Sequence, residues 1–192
     1  VSVGIVAVKE YLYQESRDPV EIFAREIKKN AWIEDHLSQG EQFGQYWATG
    51  EFSYRSEYCA TDGLVLVGDA FSFLDPVFSS GVYLALRSGE LAAETINQIF
   101  KDDGKFTAEN FVDYGKDFRN AVETMRKIVY AFYDEKFSFG KLIRKDMNLR
   151  EPLTDCLIGN IDDKDFSNLF TAMSEFADLP DPVNYGDVLC TA

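Results

Sequence analysis

Residues 63–82, GLVLVGDAFSFLDPVFSSGV, constrain the fold more than any other stretch of the chain. An apolar run breaks at Gly68-Asp69, passes Asp75-Pro76 and ends in Ser79-Ser80-Gly81 before a long amphipathic segment. Leu64 to Val67 is short and wholly apolar, the pattern of a strand buried on both faces. Gly68 lets the backbone turn closely, and Asp69 sits at the carboxyl end of that strand. In open α/β sheets ligands bind at that end. A carboxylate there needs hydrogen-bond donors, and sugar or ribityl hydroxyls are suitable ones. Asp75-Pro76 stiffens the loop. Ser79, Ser80, Gly81 and Val82 open the next helix, whose unpaired N–H groups and positive dipole end favour an anion or partial negative charge. Gly81, without a side chain, lets a ligand approach the backbone.

The flanking segments alternate in character. Residues 1–8, VSVGIVAV, are rich in β-branched residues and read as a strand. Asp18-Pro19 has the form of an N-cap followed by proline in the first turn. Ile22, Phe23, Ile27 and Trp32 then recur at helical spacing, predicting a helix that ends near His36 to Gly40. Residues 45–60 alternate aromatic and polar side chains and read as extended. Ser79 to Phe100 is helical in pattern. Thr107 caps a further helix, carrying Phe111, Tyr114, Phe118, Val122, Met125 and Ile128 to about Phe139, and that stripe is core. A last helix is expected over Phe166 to Phe176, before an acidic tail containing Pro180 and Pro182. The fold class is therefore mixed α/β, with residues 1–106 holding the strand-turn-helix and residues 107–192 forming a mainly helical C-terminal region.

Composition narrows the function. With 46% hydrophobic and 15% aromatic residues, the 192-residue chain can bury one sizeable core. Its net charge of −14 repels phosphate backbones and anionic membranes, which argues against nucleic acid as the primary partner. Cys59, Cys156 and Cys190 are sparse and odd in number, with no CxxC, and suit a reducing cytoplasm better than a disulfide scaffold. The single histidine, His36, lies near a helix end, where it caps or faces solvent, so no metal site is assigned. No stretch is long and apolar enough to span a bilayer, and the start, with no initiating Met and no basic n-region, does not read as a signal peptide. The chain is expected to begin inside a domain.

Residues 68–86, GDAFSFLDPVFSSGVYLAL, resemble the second flavin-binding motif of the FAD-dependent halogenases, closest to the branch acting on phenols and pyrroles. The resemblance extends over VSVGIVAV, SYRSEYCATDGLVLVGDA and SGELAAETI, about the first 100 residues. It implies a flavin-monooxygenase-like FAD-binding fold. It also implies that Asp69 accepts hydrogen bonds from the ribityl chain, and that Asp75, Pro76 and Val77 line the flavin ring. Gly68 would serve the turn, and the helix start at Gly81 and Val82 would face the pyrimidine edge. Ser80 and Gly81 match the Ser-Gly pair associated with halide. The implied reaction uses reduced FAD, O₂ and chloride or bromide to halogenate an electron-rich aromatic or pyrrole, free or carrier-bound, with a separate flavin reductase.

GxGxxG, which would hold the FAD pyrophosphate, is absent. The family's catalytic lysine belongs with that missing half, so no catalytic residue is assigned here. The chain is thus expected to be a C-terminal portion of such an enzyme. Hydroxylation or flavin reduction by the same superfamily, and a non-catalytic interaction module, remain open, with halide dependence separating the first two from halogenation. A carrier partner is usually acidic, so the charge of −14 opposes it unless a basic patch is local. Phe43, Tyr46, Trp47, Phe52 and Tyr54 could line a substrate, and sheet packing explains them equally well.

Overall fold

The computed structural model describes residues 1–50, 53–102, 104–161 and 164–190. The chain divides into two compact units, Val1–Gly50 and Glu51–Ala192.

The first unit is helical. Helix α1 (Lys9–Leu12) is a single turn, α2 spans Pro19–Ile27 and α3 spans Ala31–Leu37. Asp18 caps α2 as expected, its carboxylate accepting the Val20 N–H at 2.9 Å. The helix predicted to run on toward Gly40 is instead two helices, because Asn30 leaves the helical conformation and its side chain caps Ile33 N–H at 3.2 Å. An N-cap side chain offers the backbone a competing partner and so restarts a helix. Glu26 ties the unit together, accepting from Tyr11 at 2.8 Å, Arg25 at 2.7 Å and Lys29 at 3.1 Å. Burial pushes its pKa up, but those three donors outweigh it and hold the carboxyl at about 2. His36 sits in the last turn of α3, its Nδ1 2.8 Å from Trp32 O and its ring stacked on Trp32.

Residues 1–8 are not a strand. Val1, Val6 and Val8 are exposed, and β-propensity yields a strand only where a neighbouring strand and a packed face receive it.

The second unit packs two small sheets against helices. Strand β1 (Tyr54–Arg55), β2 (Tyr58–Thr61), β3 (Leu64–Val65), β4 (Ser72–Phe73) and β5 (Asp187–Leu189) are joined by α4 (Gly81–Lys101), α5 (Val112–Tyr133), α6 (Phe139–Lys145), α7 (Arg150–Ile158) and α8 (Ser167–Met173). β1 pairs antiparallel with β4, Tyr54 opposite Phe73. In the other sheet β2 is central, antiparallel to β3 across the Asp62-Gly63 turn and parallel to β5. The strand expected at Leu64 to Val67 is shorter, and it is not buried on both faces, since Leu64 and Val67 are exposed. It is an edge strand, and burial on both faces requires a central one.

Thr107 caps as expected, and it does so through a capping box with Asn110; α5 follows through a 3-10 turn over Ala108–Phe111. Helix α5 ends at Tyr133 rather than Phe139, because Asp134 turns extended and its carboxylate captures Lys136 N–H at 2.9 Å. Half of its length is buried, including Tyr114, Phe118, Val122, Met125 and Ile128, which is the predicted stripe. Helices α6 and α7 carry weaker patterns and were not anticipated, while α8 falls inside the predicted 166–176. The tail is also not merely a tail. Residues 178–189 return along α5 to pair with β2, so elements on either side of residue 106 share one core.

That return depends on two glycines. An added Cβ at Gly115 would lie 2.6 Å from Cys59 Sγ and collide with the Gly186 carbonyl, and Gly186 itself has φ +86. Gly115→Ala should therefore lower stability by about 1–3 kcal/mol, the cost of overpacking a dense core. Gly89→Ala in α4, where a Cβ meets nothing within 4 Å, should instead stabilise by up to about 1 kcal/mol, read from urea midpoints of the two variants.

All three cysteines are free thiols, Cys59 and Cys156 buried and Cys190 exposed. Burial pushes Cys59 up to about 11 and Cys156 up to about 12. A thiol reagent at pH 8 should titrate one cysteine rapidly in the native protein and three after denaturation; fast labelling of two or more native thiols would contradict this packing.

Candidate flavin-site loop and the adjoining cleft

The strand-turn-helix begins with a close approach. Gly68 adopts φ +52, and a Cβ there would stand 3.2 Å from Ala85 Cβ on α4. Its N–H donates to the fully buried Ser88 hydroxyl at 2.8 Å, and Ser88 in turn donates to Ala85 O at 3.0 Å. The Gly68 N–H is consequently committed to α4, and what the glycine provides is the turn. Asp69 follows in a 3-10 turn over Gly68–Ala70 and is exposed. Its backbone carbonyl accepts from the Tyr54 hydroxyl, while its carboxylate has no hydrogen bond among the described residues.

Asp75 plays a structural part the sequence did not reveal. One carboxylate oxygen, Oδ1, accepts Val77 N–H at 3.0 Å and the Tyr133 hydroxyl at 2.9 Å. The first bond caps the 3-10 turn Pro76–Phe78, and the second ties it to the end of α5. Burial first, and then this bond, raises the Tyr133 phenol above its ordinary pKa. Ser79 then takes the left-handed conformation at φ 55, which swings the chain into α4. Ser80 is buried at the N-cap without capping through its side chain. The first helical bond runs from Leu84 N–H to Ser80 O, so the Gly81 and Val82 N–H groups lie ahead of it and point out of the helix. A Cβ built at Gly81 would meet nothing within 4 Å, and Val82 is exposed.

Beside the loop is a cleft of about 520 Å³ between the β1–β4 ribbon and α5. Tyr54, Ser72 and Asp75 line one side, Arg126, Tyr130 and Tyr133 the other, and Tyr185 closes one end. Of the aromatic candidates among the described residues, Tyr54 lines it. Phe43 and Trp47 are exposed in the first unit, Tyr46 rests edge-on against Phe23, and Phe52 lies outside the described residues.

Arg126 and Glu123 were not foreseen. They are a nearly buried, bidentate pair at 3.0 and 2.8 Å, one helical turn apart on α5. Both also hold the returning C-terminal segment: Arg126 donates to Asp181 O at 2.5 Å, and Glu123 accepts Val183 N–H at 3.4 Å. Burial pulls the guanidinium pKa down, but the bonds to Glu123 prevail and raise it. A Glu-x-x-Arg step inside an apolar stripe was the one available signal. The pair's use as a clamp required knowing where the tail goes.

With this geometry in view, the comparisons decide the family. The tryptophan halogenase family model matches residues 47–159. The chain belongs to the tryptophan halogenase family. Among its relatives, the 1H-pyrrole-2-carbonyl-[peptidyl-carrier protein] chlorinase of Pseudomonas fluorescens is 28% identical over 160 residues, covering 83% of this chain and 35% of the relative. The corresponding brominase of Pseudoalteromonas luteoviolacea is 36% identical over 98 residues, covering 50% and 24% respectively. In three dimensions the chain is similar to the flavin-dependent brominase Bmp2, with a TM-score of 0.68 at 27% identity over 88% of this chain and 41% of that one. The chain thus spans well under half the length of these relatives. The mixed α/β fold is that of flavin-dependent halogenases. Among the described residues, no helix is long and apolar enough to cross a membrane.

Arg126→Met leaves Glu123 buried without its partner and should destabilise the unit by about 3–5 kcal/mol. The double variant Glu123→Leu/Arg126→Met should recover much of that loss in thermal melts; a double-variant loss equal to the sum of the two single losses would show that the pair is not coupled.

Proposed function

We propose that this chain furnishes part of the flavin and halide site of a halogenase acting on an electron-rich aromatic or pyrrole. The observation that carries the reading is the open start of α4 beside the Asp75 turn, in a member of the tryptophan halogenase family. The residues present fit an FAD ring and ribityl chain. The Asp69 carboxylate is exposed and free to accept ribityl hydroxyls, and Gly81 leaves room for a ring edge at the helix start. FAD, once reduced, supplies the oxidising chemistry with O₂.

The chain's own residues have four tasks in this reading. Asp69 accepts from ribityl hydroxyls. Asp75, Pro76 and Val77 form the rigid turn against which the ring rests, with Gly68 setting its approach. The N–H groups of Gly81 and Val82 stabilise negative charge at the ring edge. Ser80 and Gly81 hold the halide, where a mostly dehydrated site and backbone donors favour a small anion. The tyrosine-rich cleft next to Asp75 would receive the aromatic substrate and exclude water from it. Residues 1–106 would in this view carry the flavin and substrate side, and residues 107–192 the helical cover. The P. fluorescens and P. luteoviolacea relatives are named for a carrier-bound pyrrole, which supports a carrier-bound substrate here. A separate reductase would supply reduced flavin, and free thiols suit a cytoplasmic setting.

The deciding experiment equilibrates the protein with FAD, removes the excess by gel filtration, and records the visible spectrum. Retained flavin should fall at least about tenfold in Gly81→Val, whose side chain occupies the ring's approach, with no loss of thermal stability. The chain joined to a GxGxxG-bearing half and loaded with flavin is then given reductant, O₂, bromide and a pyrrole. A brominated product supports halogenation. A hydroxylated product that forms regardless of bromide assigns the site to oxygen transfer instead.

A further inference from the structure

Between Lys136 and Arg150 the charge of this acidic chain reverses. The segment KFSFGKLIRKDMNLR holds five cations and one acid, so the remainder is more negative still than the −14 of the whole. Lys136, Lys141, Arg144 and Lys145 are all exposed. Lys145 pairs with Glu175, whereas Lys136, Lys141 and Arg144 have no ion pair among the described residues. Lys141, Arg144 and Lys145 stand three and four residues apart on α6 and so share a face. Lys141 Nζ lies 3.5 Å from Lys136 O, which brings the fourth cation into the same patch. The helix dipole accounts for Arg144 and Lys145 in the last turn, but not for Lys141 or Lys136. Like charges at this spacing cost stability in the free protein, and an anionic partner would relieve the cost.

The patch is anchored to the Pro76–Phe78 turn and connects to the cleft through Asp134. Phe139, at the start of α6, packs on Phe137 at 5.0 Å and on Phe78 of the Pro76–Phe78 turn at 6.2 Å. Asp134, whose carboxylate accepts Lys136 N–H, lines the cleft. Met147, just beyond α6, is 63% exposed and offers an apolar contact beside the cations.

We propose that Lys136, Lys141, Arg144 and Lys145, with Met147, form the docking surface for an acidic carrier domain that delivers its tethered substrate to the neighbouring cleft. This rests on the reading that the substrate is carrier-bound. The bulk charge opposes such a partner, and this local excess of cations, with Lys145 held by Glu175 and Glu135 and Asp146 adjoining, counters that objection, because association is governed by local complementarity. A nucleic acid fits less well, since a long polyanion would also meet the acidic surroundings.

The test measures binding of a peptidyl-carrier domain loaded with 1H-pyrrole-2-carbonyl to the wild-type protein and to Lys141→Glu/Arg144→Glu, by calorimetry at low and moderate salt. The proposal expects wild-type binding that weakens with salt, and a dissociation constant raised at least about tenfold in the variant at unchanged melting temperature. Equal binding by both proteins overturns the docking surface and leaves the carrier-bound reading intact. No binding to either overturns both, while the flavin and bromide assay still decides the chemistry. If sedimentation shows self-association that the variant abolishes without affecting the carrier, the face joins two copies of this chain and the proposal fails.

Discussion

The larger unit depends on how closely the C-terminal segment can approach helix α5. At Gly115 the approach leaves no room for a methyl group, and Gly186 on the opposing segment adopts a backbone conformation that suits glycine. Because the two backbones meet there, β5 reaches β2 and completes the three-stranded sheet. Along the same face Arg119 donates to Tyr185 O, Glu123 receives Val183, Arg126 holds Asp181, and Asp134 receives Asp178 N–H. One helix therefore satisfies the backbone of a segment with little secondary structure of its own, which is what a buried irregular segment requires.

The cleft is a consequence of that arrangement. Its α5 wall exists because α5 is buried on its other side, and Tyr185 lines the cleft because the returning segment is clamped. Asp75 then connects cleft and loop through a single oxygen shared between Val77 and Tyr133. A ligand against the Pro76–Phe78 turn and one in the cleft would rest on the same carboxylate. That shared support suits chemistry in which cofactor and substrate must keep a set distance.

Charge is distributed with similar economy. The acids are spread over most of the chain, while the cations of residues 136–150 gather on and beside one short helix next to the cleft. Among the described residues, buried charge is confined to the Glu123–Arg126 pair, where each partner answers the other's desolvation.

Local signals were legible in the sequence. Asp18-Pro19 and Thr107 act within a few residues, so capping chemistry located the start of α2 and of the turn that leads into α5, while the helical pattern after Ser79 located α4. The GDAFSFLDPVFSSGV string likewise carried the family resemblance in consecutive residues. Features that depend on distant partners were not legible. The β-branched run at Val1–Val8 looks like a strand, but strands exist only by pairing. Arg126, Tyr133 and Tyr185 meet around one cleft from separate positions, and the acidic tail gives no local sign of its return to β2. By itself the sequence determined the starts of α2 and α4, the turn leading into α5, the apolar face of α5 and the close turn at Gly68, because each is set by neighbours along the chain. Only the tertiary structure decided the cleft, the Asp75–Tyr133 link and the docking of β5, because each is a long-range packing solution with no local signature.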